Sequence, residues 1–158
     1  MTRDIVIQGE EYRFGLRTVG VAVKNGKLLV QKEKNGCHYA LVGGAVQILE
    51  TTEQALIREF KEETGTDIKI KRLLWTEEDF WNYKGRRHHG LAFYYLVELE
   101  NPELIPDNGT FTPQKDGPNV VFGWLPLSEL DNITIYPTFI KDEIYNLKDE
   151  LKHFITKE

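Results

Sequence analysis

The strongest constraint on this chain is one short amphipathic segment, residues 51–64, held between the glycine pair Gly43-Gly44 and Gly65. Thr51 or Thr52 is placed to cap a helix start, Glu53 lies in its first turn, and Gly65 suits its end. A helix advances about 100° per residue, so Glu59, Glu62 and Glu63 share one face. Leu56, Ile57 and Phe60 form an adjoining apolar face fit to pack on a sheet. Ala55, one turn earlier, leaves the approach to the carboxylates open. Like charges this close repel by roughly a few tenths of a kcal/mol per pair on an exposed helix. A divalent cation reverses that sign, and magnesium prefers hard oxygen ligands while keeping waters or phosphates in its shell. Taken alone, the triplet is either a solvated acidic stripe or one wall of a magnesium–polyphosphate site.

The rest of the chain reads as strands. Residues 5–14 alternate around Gly9-Glu10 as a short hairpin, and residues 17–23 and 27–32 form two strands joined by an Asn25-Gly26 turn. Residues 39–42, 67–75, 91–99 and 120–125 are further strands, with a turn at Asn82-Tyr83-Lys84-Gly85. Residues 101–118 carry four of the six prolines and read as a surface loop, and residues 128–130 as one helical turn. Beyond Pro137, Ile140, Ile144, Leu147 and Leu151 recur at helical spacing and predict a C-terminal amphipathic helix. The expected fold is α/β, one domain over 1–158 with a mixed, mostly antiparallel sheet.

Composition excludes several classes. A formal net charge of −5 argues against a broad grip on a nucleic-acid polymer. One cysteine, Cys37, rules out an intrachain disulfide and a cysteine-based zinc cluster, and is expected to be a buried or half-exposed thiol. No stretch looks like a signal peptide or membrane span, so a cytoplasmic setting without a membrane partner is expected.

The wider spacing is more specific than the triplet. Gly44, five residues, Glu50, seven residues, Arg58-Glu59, two residues, Glu62-Glu63, one residue, Gly65 resembles the box of the Nudix (MutT-like) hydrolases over residues 44–66. That pattern is G-x5-E-x7-R-E-U-x-E-E-x-G-U, with U a bulky apolar residue, and Phe60 fills the first U. At about 7% per specified position, the chance of such a match is on the order of 10⁻⁷ or less per starting point. Thr66 replaces the usual final apolar residue. Val42, Tyr39, Gln47 and Leu49 stand where proline, tryptophan, glutamate and glycine are frequent.

The resemblance implies an α/β/α sandwich and magnesium-dependent (or manganese-dependent) hydrolysis of a diphosphate linkage in a nucleoside-diphosphate derivative. It casts Glu59, Glu62, Glu63 and the Gly43 carbonyl as metal ligands. Glu50 and Arg58 become a bracing ion pair among the catalytic residues, and a homodimer is common in the family. The general base varies in such enzymes, and Asp116, shortly before the 120–125 strand, is the candidate here. Arg86, Arg87 and His88, within the densest cationic cluster of the chain, are expected to hold phosphates or a sugar of a small-molecule nucleotide. Phe80, Trp81 and Tyr83 either stack on a base or cap the core. Arg17 and Gln31 are two further polar positions facing the expected pocket. The alternative is a Nudix-fold module that binds a nucleotide without turning it over.

Overall fold

The computed structural model describes residues 3–147 and 150–158. Its strands are β1 (Val6–Gln8), β2 (Tyr12–Val21), β3 (Val23–Lys24), β4 (Lys27–Glu33), β5 (His38–Ala40) and β6 (Gly43–Ala45). Helix α1 (Thr52–Thr64) follows, then β7 (Ile68–Tyr83), β8 (Arg86–Leu99), β9 (Thr112–Pro113), β10 (Val120–Pro126) and β11 (Thr134–Tyr136). The single-turn α2 (Ile140–Glu143) and β12 (Lys152–Lys157) complete the described elements.

These strands form two mixed sheets. The first runs β1-β2-β8-β7-β12, with β6 also on β2, and the second runs β11-β5-β4-β10-β9, with β3 also on β4. Parallel pairs are β2–β8, β7–β12 and β5–β11, and the remaining pairs are antiparallel. Local chemistry sets the turns. Asn25 (φ 51°) and Gly26 (φ 73°) close one hairpin, and Lys84 (φ 49°) and Gly85 (φ 77°) close the long β7–β8 ribbon. Two successive positive φ values match the right-handed twist of paired strands.

Helix α1 begins with a reciprocal cap. Thr51 Oγ1 accepts from the Gln54 amide at 3.1 Å, and Gln54 Oε1 accepts from the Thr51 amide at 2.9 Å. Its apolar face, Leu56 and Phe60, is fully buried against Tyr95, Val97, Val42 and Trp124. Removing a buried phenylalanine of this kind costs about 3–5 kcal/mol. A second cluster, built on Val19, Val21, Trp75, Tyr94, Ile135 and Ile140, packs between the two sheets.

Three expectations are corrected. The C-terminal amphipathic helix is a single turn: Ile140 and Ile144 are buried, but Leu151 is 58% exposed and residues 152–157 form β12. Lys148 and Asp149 of that expected helix, like Met1 and Thr2, lie outside the described residues. The physical reason is alternation. Across Lys-His-Phe-Ile-Thr-Lys, every second residue is half-buried, and the ladder to β7 satisfies backbone groups that helical spacing alone cannot bury. The strand expected to end at residue 75 continues to Tyr83, and the cationic cluster lies within β8 rather than before it. Cys37 is exposed.

Candidate active site

Helix α1 and the loop before it are tied together by Arg58. Its Nε donates to Glu50 Oε1 at 2.7 Å and its Nη2 to Glu50 Oε2 at 3.0 Å, a two-pronged contact. Nη2 also reaches the Ala45 carbonyl at 3.0 Å, while Nη1 donates to Glu59 at 2.9 Å and Glu62 at 3.2 Å. Glu50 accepts a further bond from the Gln47 amide at 3.0 Å. The Arg58 hydrogen bond holds the Glu50 carboxyl below its ordinary value, and the Glu50 hydrogen bond raises Arg58 in return. The loop is thereby locked to the helix whose carboxylates it faces.

Glu59 and Glu63 sit deeper. An added Cβ at Gly44 would fall 2.3–2.5 Å from the Glu59 carboxyl atoms, so any side chain there would displace the carboxyl from this position. Burial raises the Glu59 carboxyl against the pull of Arg58. Glu63 is pushed up to about 8, first by burial and then by the charges of Glu59 and Asp116. Its Oε2 is buried with no hydrogen-bond partner among the described residues. Such an oxygen is costly unless something positive completes it.

Asp116 is brought to this site by backbone. The Lys115 amide donates to the Glu63 carbonyl at 3.0 Å, docking the 114–117 loop on the end of α1. Gln114 is buried and donates to Gln31 Oε1 at 2.6 Å, which engages Gln31 away from any open role. Gly43 pairs with Val19 of β2 beside the helix.

As placed, no three His, Cys, Asp or Glu side chains among the described residues converge as a closed metal cage. Arg58 draws Glu59 and Glu62 toward itself instead. The donor chemistry nevertheless fits a magnesium-type ion: hard oxygens, excess negative charge, and one buried carboxylate oxygen without a donor.

A cavity of about 680 Å³ lies between the sheets. Glu77 and Asp79 of β7 and Tyr94 of β8 line one wall, with Arg17 of β2 at the side nearer Glu63. The Arg17 charge acts on Glu63 and on Asp79 alike. Glu77 is 4% exposed, and its two oxygens accept from Tyr94 Oη at 2.7 Å and Thr156 Oγ1 at 2.8 Å.

With that geometry in place, comparison decides the family. The NUDIX domain matches residues 16–145. The chain belongs to the Nudix family. It is 37% identical over 91 residues to the ADP-ribose pyrophosphatase of Methanocaldococcus jannaschii, a match covering 54% of this chain and 51% of that protein. This chain therefore spans about half the length of that relative. It is 26% identical over 167 residues to the RNA pyrophosphohydrolase of Hydrogenovibrio crunogenus, covering 97% of this chain and 98% of that one. Among solved structures it resembles a MutT NUDIX hydrolase from Burkholderia pseudomallei, with 26% identity and a TM-score of 0.57 over 81% of this chain and 95% of that one. An ADP-ribose pyrophosphatase from Streptococcus suis shares the fold at 18% identity, with a TM-score of 0.59 over 89% and 98% of the two chains. The Nudix sandwich expected from the box is thus the fold of this chain.

The structure gathers Glu50, Arg58, Glu59, Glu62, Glu63 and Asp116 around one end of α1. It divides the cationic cluster. Strand alternation turns Arg86 and His88 to one face and Arg87 and His89 to the other, and the two histidines, unlike the two arginines, line the cavity. Burial and the neighbouring charges of Arg13 and Arg86 depress the His88 imidazole, favouring its neutral form. Sequence reasoning missed Glu77, Asp79 and Arg13. The available signal was the every-second-residue series Trp75, Glu77, Asp79, Trp81, which places two acids and two indoles on one strand face.

Proposed function

We propose that this Nudix-family chain hydrolyses a diphosphate linkage in a nucleoside diphosphate joined to another moiety, using Mg²⁺ or Mn²⁺. The observation that carries this reading is the buried, unpartnered Glu63 oxygen beside Glu59, at the end of a helix braced by Arg58 and Glu50. Glu59, Glu62, Glu63 and the Gly43 carbonyl would hold the cation. When bound, such an ion neutralises diphosphate charge and makes hydroxide available from water near neutrality.

The protein's own part is positioning. Arg58 fixes Glu59 and Glu62 relative to the loop, and Gly44 gives Glu59 its seat. Asp116, whose charge acts on Glu63, would take a proton from an attacking water. The names of the relatives, pyrophosphatases and pyrophosphohydrolases, support the reaction class.

The test is a panel of nucleoside diphosphate derivatives assayed with Mg²⁺, with EDTA, and with Glu62→Gln and Glu63→Gln. Hydrolysis of at least one compound is expected, abolished by EDTA and reduced about 10²–10³-fold or more in each variant. Wild-type inertness across the panel, together with tight nucleotide binding, would establish the non-hydrolytic binding module instead.

A further inference from the structure

The wall of the cavity contains a carboxylate that is oriented but not consumed. Glu77 already accepts a hydroxyl on each of its two oxygens, from Tyr94 and Thr156. Asp79, the next residue on the same strand face, lies against the Trp81 side chain and the Gly90 backbone, both of which favour its ionised form against burial. Gly90 is the residue that admits it: an added Cβ there would stand 2.4–2.9 Å from the Asp79 carboxyl atoms. Beside it, Trp81 stacks on His88 with ring centroids 4.0 Å apart and planes at 21°, and remains 37% exposed. Tyr83 lies 6.1 Å from Trp81 and is 54% exposed. Arg17, at the side nearer Glu63, has no hydrogen-bond or ion-pair partner within 4 Å among the described residues, although Lys27, Arg58 and Lys152 all do.

Each group restricts the ligand. A free guanidinium between the helix carboxylates and the cavity suits a phosphate. Exposed indole and phenol rings suit a flat or ring-shaped group. An ionised carboxylate only accepts hydrogen bonds, so it selects donors, and its two oxygens match a pair of adjacent donors. The volume, about 680 Å³, lies within the range of pockets that take small organic ligands.

We propose that this cavity is the recognition pocket for the group carried beyond the diphosphate, and that Asp79 is its specificity residue. Its ligand is a ring presenting two adjacent hydrogen-bond donors to Asp79 and a face to Trp81, while Arg17 takes the attached phosphate. Two sources offer that donor pair: a guanine-type base edge and the vicinal diol of a sugar. A uracil edge, whose single N–H is flanked by carbonyls, does not. The inference deepens the proposed hydrolysis, since it names what the substrate carries.

The test measures binding and turnover separately. Binding of GMP, IMP, dUMP and ribose 5-phosphate without metal is compared in wild type, Asp79→Asn and Trp81→Leu, with circular dichroism confirming that each variant is folded. Wild type should bind a donor-pair ligand at least tenfold more tightly than dUMP, which has neither a guanine-type edge nor a vicinal diol, and Asp79→Asn should abolish that preference. Loss of preference between GMP and IMP identifies the base edge as the source. Loss for ribose 5-phosphate identifies the diol. Trp81→Leu should weaken every ring ligand about tenfold while leaving inorganic phosphate binding unchanged. If the folded Asp79→Asn protein keeps wild-type selectivity, the pocket assignment falls even where hydrolysis is robust. If selectivity depends on Asp79 but no compound is turned over, the pocket stands and the hydrolytic reading fails.

Discussion

Two groups of acids each have a member that feels the charge of Arg17, and burial raises Glu59 and Glu63 in one and Glu77 and Asp79 in the other. At the end of α1, one buried Glu63 oxygen has no hydrogen-bond partner among the described residues, and the charge of Glu59 acts on it. In the cavity wall, each Glu77 oxygen accepts from a hydroxyl, and Asp79 lies against the Trp81 side chain and the Gly90 backbone. Burial is common to both, and completion separates them. An incomplete pair of buried carboxylates is a demand for positive charge. A completed one is a rigid set of acceptors, suited to reading a neutral donor.

The contrast can be broken most directly at Arg58. Arg58→Ala would leave Glu50 without its main partner and release Glu59 and Glu62. Removing a hydrogen-bonded ion partner from groups 15–23% exposed is expected to cost about 2–3 kcal/mol in urea denaturation. Divalent-ion affinity should fall about 10–100-fold, because the ligands lose the groups that aim them. Unchanged stability and affinity would mean that the α1 carboxylates need no bracing.

A smaller effect sharpens the other side. Burial raises Glu77 above 4.5, so the folded state binds its proton more tightly than the unfolded chain. Glu77 therefore contributes most to stability below pH 4.5, and that contribution is lost as pH rises through the folded-state value. Glu77→Gln cannot titrate. The stability of wild type relative to Glu77→Gln should decline with rising pH across that window, by about 1 kcal/mol for each unit of raised pKa. A difference that grows with pH would show that Tyr94 and Thr156 stabilise the ionised form more than burial opposes it.

The two regions also differ in how far they could be read from residues alone. The α1 site was legible because its information is local: caps, helical period and box spacing all fall within residues 44–65. Its geometry depends on few distant partners, and even the Glu50–Arg58 pair spans only one loop and two turns. Asp116 was reachable only as a candidate, since a Lys115–Glu63 backbone bond brings it in. The cavity was legible only in part: Arg17, His88, Trp81 and Tyr83, which the residues alone offer to a substrate, line it, but Glu77 and Asp79 did not stand out. Its wall joins β2, β7, β8 and β12, and charged residues within a strand resemble a solvated face until the sheet neighbours are known. The C-terminus misled for a related reason. Ile140, Ile144, Leu147 and Leu151 fit a helical period, but the β7 edge offered residues 152–157 a full ladder of hydrogen bonds. The basic cluster looked like one patch, and a strand period of two divides it.

The central claim is that the α1 carboxylates, and not those of the cavity, complete themselves with a divalent cation. Mn²⁺ binding followed by electron paramagnetic resonance tests it on the free protein. Saturable binding is expected in wild type and in Asp79→Asn, with at least tenfold weakening in Glu59→Gln and Glu63→Gln. Equal binding by all four proteins, or loss confined to Asp79→Asn, would contradict it.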